Sequence, residues 1–258
     1  MILADSHTHL YLEEFNNDRN LVIEKAIFEG VKYLFLPNID SGFIDSMLNV
    51  CKEFPENCFP MIGLHPTSVK ENYKSELSIM ENWLEKEKFS AIGEIGIDLY
   101  WDKTFINEQI EAFQFQLYLA KEKKMPVVIH SRNSMNEIFQ VLKEPSFSGI
   151  KGVFHCYSGN LIQAKKVVEM GYLLGIGGVA TYKNSILPDV IREVGINNIL
   201  LETDAPFLTP VPFRGKRNES SYINIIAEKV AEVLNIEKSE VAEITTNNTL
   251  SLFGLKKQ

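Results

Sequence analysis

The chain has 258 residues, 45% hydrophobic and 23% charged, ordinary proportions for a globular protein with a sizeable core. Lysine and arginine number 26 against 34 aspartates and glutamates, a formal net charge of -8. That balance excludes a protein that coats nucleic acid through a basic surface, since phosphate neutralisation drives such binding. It leaves room for an enzyme that gathers cations at one point.

In chain order, short apolar runs rich in strand formers alternate with stretches of helical spacing. The first run is MILADSH, Met1 to His7, followed by the helical pattern NDRNLVIEKAIFEG. KYLFLPN from Lys32 and CFPMIGLH from Cys58 are the next two strands, and ENWLEKEK reads as a helix before SAIGEIG from Ser90. NEQIEAFQFQLYLAKEKK carries lysines in its last turn, where they complement the helix dipole, and leads to MPVVIH from Met125. SMNEIFQVLKE precedes KGVFH from Lys151, and LIQAKKVVEM precedes YLLGIGG from Tyr172. NILLETD from Asn198 is the eighth strand, and one or two closing helices are expected after Ser220. Eight such units in this length predict an α/β fold, a (β/α)8 TIM barrel with its site at the C-terminal mouth of the strands. An open doubly wound sheet is the alternative, but no Gly-x-Gly-x-x-Gly turn follows the first strand. No linker, low-complexity tract or repeat interrupts the pattern, so one domain over 1–258 is expected. The N-terminus shows no basic segment followed by an apolar one, and no apolar run spans a bilayer. Cys51, Cys58 and Cys156 match no zinc or disulfide spacing, and a cytoplasmic protein is expected. With no apolar surface stripe in the pattern, a monomer is the expectation.

The five histidines, His7, His9, His65, His130 and His155, all fall at or just past the ends of expected strands, and none falls in a helix. Glu94 in GEIGID and Asp204 in LETDAP close two further strands. Residues i and i+2 of a strand share a face, so His7 and His9 are expected to point together into the barrel. His-x-His alone is weak evidence, Glu94 alone reads equally as a helix cap, and TDAP alone as a turn. Their combination is hard to obtain by packing. Imidazoles with carboxylates at one mouth form a metal site, and four histidines with two carboxylates exceed one tetrahedral ion but suit two ions sharing Glu94.

Together DSHTHL, GLHP, GEIGID, VIHSR, FHCYSG and LLETDAPFL…RGKRNE resemble the TatD family of metal-dependent deoxyribonucleases, in the amidohydrolase superfamily. The resemblance runs from about residue 2 to the C-terminus. It implies a (β/α)8 barrel in which His7, His9, Glu94 and Asp204 bind one metal, while Glu94 bridges to a second held by His130 and His155. It implies two divalent ions (Mg2+, Mn2+ or Zn2+) and hydrolysis of DNA phosphodiester bonds as a 3′-directed exonuclease preferring single strands or 3′ ends. Two departures stand out: Tyr11 where many members carry Asp, and Ser220 where Pro often follows the basic loop.

The mechanism expected is attack by a water activated by two metals, with Asp204 as general base beside the bridging Glu94. Glu202, two residues before Asp204, is expected behind the ligands, orienting a histidine. His65 is expected to contact a substrate phosphate, or else to serve only as an HP turn residue. Arg214, Lys216 and Arg217 of FRGKRN are expected to hold phosphate, or else form a solvated charge run, with Arg132 a further candidate. Trp101 and Tyr157 read as base-stacking candidates or as packing. Other readings are a barrel amidohydrolase or lactonase, a transfer-RNA-directed deacylase, and a metal-binding protein without activity. The first commonly uses a carboxylated lysine, which VVIH lacks.

Overall fold

The apolar runs become strands buried on both faces, as helix-covered parallel strands must be. In the computed structural model, which describes residues 1–256, the strands are β1 (Leu3–Asp5), β2 (Val31–Leu36), β3 (Cys58–Pro60), β4 (Ile92–Asp98), β5 (Val127–Arg132), β6 (Gly152–Phe154), β7 (Leu173–Ile176) and β8 (Ile199–Leu201). Neighbours pair in parallel as β1-β2-β3 and β4-β5-β6-β7-β8. Two seams close the ring. A parallel bridge between Ile62 and Ile92 joins the third strand to β4. Ser6 N donates to Leu201 O (3.0 Å) and Asp204 N to His7 O (2.9 Å), joining β8 to the chain just past β1. The chain is a (β/α)8 barrel.

Around it lie α1 (Arg19–Phe28), α2 (Ile44–Glu53), α3 (Tyr73–Leu84), α4 (Ile106–Lys123), α5 (Met135–Leu142), α6 (Leu161–Glu169), α7 (Leu187–Val194), α8 (Ile223–Leu234) and α9 (Lys238–Phe253). The expected ENWLEKEK helix proves to be the end of α3, which starts eight residues earlier and stops at Leu84. Its buried residues Tyr73, Leu77 and Met80 lie in the earlier turns, and Glu85 to Lys88 have no such face. Helices α2 and α7 are additional to those the spacing singled out. They are short, but each buries an i, i+3, i+4 set: Ile44, Met47 and Leu48, then Leu187, Val190 and Ile191. Among the described residues, no helix is long and apolar enough to cross a membrane.

Strand periodicity divides the core in two. Ala4, Tyr33, Phe35, Val128, Val153 and Leu200 form an inner cluster, which Leu250 and Phe253 of α9 plug from the strand N-terminal end. Alternate residues such as Leu34, Leu36, Val127, Ile129 and Phe154 face outward to the helices. The inward parity decides what reaches the mouth. Two residues beyond Val128, Val153 and Leu200 stand His130, His155 and Glu202, and Asp204 follows two residues later.

Candidate metal centre

Glu94 sits at the centre of the mouth, 2% exposed. Its Oε2 faces His7 Nε2 at 3.1 Å and His9 Nε2 at 3.8 Å. Its Oε1 faces His130 Nδ1 at 2.8 Å, His65 Nε2 at 3.1 Å and His155 Nε2 at 3.2 Å. Asp204 Oδ1 lies on the Oε2 side, 3.5 Å from His9 Nε2 and 3.8 Å from His7 Nε2. β1 ends at Asp5, so His7 and His9 stand past the strand. Thr8 N donates to Phe35 O (3.0 Å) and keeps the segment extended, and the two Nε2 atoms meet at 3.2 Å.

Burial alone would push the Glu94 carboxyl up, but the imidazoles of His155, His65 and His7 outweigh it and hold it well below its ordinary range. Burial opposes ionisation of Asp204 too, and His9, His155 and His7 bring it below its usual value. His7 is held down by burial, and His65 likewise. Two nitrogen lone-pair groups 3.2 Å apart, beside two ionised carboxylates, form a donor set that a cation satisfies better than protons do. Three overlapping groups have ligand atoms within 4.8 Å of one another: His7, His9 and Glu94; His7, His155 and Asp204; and His65, Glu94 and His130. The residues fit a metal centre.

Behind the ligands stand groups that orient them. Glu202, fully buried, lies with Oε1 3.1 Å from His155 Nδ1 and accepts from Cys156 N at 2.5 Å. Gly175 makes room for it, since a Cβ there would come within 2.3 Å of Glu202 Oε2. Asp98, which the sequence reading passed over, lies with Oδ2 2.9 Å from His130 Nε2. Its signal was available: Asp98 is four residues beyond Glu94 on β4, on the same face. Asp5 was also missed. It accepts from Thr203 N (2.8 Å) and Thr203 Oγ1 (2.6 Å), tying β1 to the Asp204 turn, and burial raises its carboxyl to about 7. Both departures from the family pattern lie here. Ser220 Oγ is 3.1 Å from Thr8 Oγ1, and Tyr11 Oη is 3.0 Å from His9 Nδ1.

The site opens into a cavity of 540 Å³. His65 lines it, and its Nδ1 accepts from Thr67 N at 3.2 Å, the turn contact that HP favours. An accepting Nδ1 leaves the proton on Nε2, which makes His65 a donor toward Glu94. Arg132 lines the cavity, its guanidinium 3.9 Å above the Tyr100 ring and 5.3 Å from Trp101, which also lines it. The structure does not bring the other substrate-contact candidates to this wall. Tyr157 is buried, and its hydroxyl donates to Asn160 O at 2.6 Å, so its face is not open to a base. Arg217 is held by Asp18 through two bonds of 2.8 and 2.6 Å. Arg214 lies over Tyr182 and Lys216 over Phe213, both exposed and neither lining the cavity. The loop after β8 is long enough to turn its charges outward.

A parallel barrel with imidazoles and carboxylates gathered around one shared glutamate is the architecture of a metal-dependent hydrolase. Comparison with known proteins sharpens this. The TatD related DNase family pattern matches residues 4–254, and the chain belongs to that family. It is 37% identical to the uncharacterized metal-dependent hydrolase YabD of Bacillus subtilis over 255 residues, 98% of this chain and 100% of that one. It is 30% identical to the uncharacterized metal-dependent hydrolase YcfH of Escherichia coli, over 99% of this chain and 97% of the relative. Among solved structures, the TatD homologue YjjV of Escherichia coli superimposes with a TM-score of 0.92 at 30% identity, covering 98% of both chains.

Proposed function

We propose that this hydrolase cleaves phosphodiester bonds of single-stranded DNA from a 3′ end, using two divalent ions that share Glu94. The observation that carries the reading is the division of Glu94: one oxygen faces His7 and His9 beside Asp204, the other faces His130 and His155. His7, His9, Asp204 and Glu94 Oε2 would hold one ion, and His130, His155 and Glu94 Oε1 the other. When bound, such ions lower the pKa of a coordinated water and offset charge on a phosphate.

The residues supply the rest. Asp204 presents a carboxylate at the cavity wall to take the attacking water's proton, as general base. Glu202 and Asp98 hold His155 and His130 in fixed orientation. Arg132, exposed and without a salt-bridge partner among the described residues, is free to meet a non-bridging phosphate oxygen. Trp101 and Phe207, 68% and 46% exposed, line the same cavity and offer faces to unpaired bases, which a duplex keeps stacked.

The test combines metal analysis with an assay on 3′-labelled single-stranded DNA. Glu94→Gln is expected to lose metal, and Asp204→Asn to lose about 10²–10⁴ in rate. Undiminished cleavage by both variants refutes the mechanism. Bound metal with untouched DNA refutes the substrate.

A further inference from the structure

Tyr11 was noted only as a departure in the sequence, yet its hydroxyl reaches the site. Tyr11 is 3% exposed, with its ring 5.8 Å from His9 and 5.9 Å from Phe43. Its oxygen has two close partners, Pro37 O at 2.6 Å and His9 Nδ1 at 3.0 Å. A phenol has one proton, with an ordinary pKa of about 10, and a backbone carbonyl only accepts. The short bond to Pro37 O therefore uses the Tyr11 proton. The proton between Tyr11 and His9 must then come from Nδ1 of the imidazole. A neutral imidazole carries one proton, so Nε2 is left with its lone pair bare. Nε2 is the atom that faces His7 Nε2, Asp204 Oδ1 and Glu94 Oε2 at 3.2, 3.5 and 3.8 Å.

We infer that Tyr11 is a positioning residue that locks His9 in its Nδ1-protonated tautomer, so that Nε2 is presented as a ready-made metal donor. The relay runs from the Pro37 carbonyl through one phenol to one imidazole, and every polar atom along it has a partner. His155 and His130 are oriented by carboxylates, Glu202 and Asp98, whereas His9 is oriented by a neutral group. Tyr11 thus fixes a ligand without adding a negative charge to a site that already holds Glu94 and Asp204. Rotation of the phenol is blocked by its packing against Phe43 and by burial, so the tautomer is set by the fold and persists without metal. The inference rests on the reading of His9 as a ligand, and it is independent of whether DNA is the substrate.

The test uses the full chain and no DNA. Nitrogen-15 NMR of the metal-free protein reports the His9 tautomer directly, and the Nδ1–H form is expected. In Tyr11→Phe, which keeps the ring and its packing, the tautomers are expected to mix. Zinc affinity, measured by competition with a chromophoric chelator, is expected to fall about 10- to 100-fold. In a His9→Ala background the same substitution should cost no further affinity, which a merely structural role for Tyr11 would not produce. An Nε2–H tautomer in the wild type overturns the inference. So does zinc affinity of Tyr11→Phe within twofold of the wild type, or a wild type that binds no zinc.

Discussion

Glu202→Gln is the most informative single change, because it alters one charge and almost no volume. Glu202 Oε1 takes two donors, His155 Nδ1 at 3.1 Å and Cys156 N at 2.5 Å. Among the described residues Oε2 is buried without a hydrogen-bond partner, in the space that Gly175 leaves. A glutamine that keeps its oxygen on both donors must place its amide NH2 in that space, which is shaped around a carboxylate oxygen. An unsatisfied buried donor costs about 1–3 kcal/mol, and each retained bond weakens by about 1 kcal/mol when its acceptor loses charge. The metal-free protein should therefore lose about 3–5 kcal/mol, read from urea unfolding. The imidazole of His155 becomes a poorer donor at Nε2, so zinc affinity should fall about 10- to 100-fold, equivalent to about 1.4–2.7 kcal/mol. Gly175→Ala gives an independent check, since it displaces the same carboxylate without removing it. Zinc affinity within twofold of the wild type in both Glu202→Gln and Glu202→Ala would refute the reasoning.

Three further outcomes are expected. Because Arg132 is the one arginine or lysine lining the cavity among the described residues, binding of single-stranded oligonucleotides should show a shallow salt dependence, a log–log slope of about -0.7 to -1.4; a slope steeper than about -4 would favour the basic loop as the phosphate contact. The Asp18–Arg217 pair should show a coupling of about 0.2–1 kcal/mol in a double-mutant cycle, since both side chains are about one-third exposed. Arg217 holds the Asp18 carboxyl below its unfolded value of 3.8, so this coupling should be complete above that pH and fade as pH falls through the lowered value; a coupling that grows on acidification contradicts it. Gly96→Ala should cost about 3 kcal/mol or more in denaturant titration, because φ is +143° and a Cβ would stand 2.1 Å from His130 O; a loss under about 1 kcal/mol would show that β4 and β5 can part locally.

The strands were legible because parallel barrel strands are buried on both faces and therefore read as unbroken apolar runs, most of them closed by a polar residue. Once Val128, Val153 and Leu200 are known to face inward, the positions of His130, His155 and Glu202 follow from a period of two. The orienting groups were harder to read because their signal is spatial. Asp98 reaches His130 across a strand pair, and Tyr11 reaches His9 through a bend that no periodicity marks. The basic loop poses the converse difficulty. Three cations in four residues look like a phosphate site, yet Arg217 finds Asp18 at the start of α1 and Arg214 finds Tyr182, contacts between residues far apart in the chain. Local charge density says where cations are in sequence, and the tertiary fold decides where they point.

This arrangement bears on the order of events at the mouth. The cavity is lined by Glu94, Asp98 and Asp204, all held ionised by their neighbours, against Arg132 and the imidazoles of His130 and His155, which these carboxylates and Glu202 raise above the ordinary histidine value despite burial. A phosphate brought to about 4 Å from one such carboxylate meets a repulsion of about 4 kcal/mol at the effective dielectric of a protein surface. Metal-free, those carboxylates are offset by protons on the imidazoles, and divalent cations can take the protons' place. Under the proposed function, cations that replace those protons would raise the positive charge of the site before an anionic substrate enters. A neutral ester or lactone would face no such barrier and would bind the metal-free cavity equally well. Affinity for a non-cleavable phosphorothioate oligonucleotide that appears only with metal present therefore supports an anionic substrate. Equal affinity with and without metal counts against it.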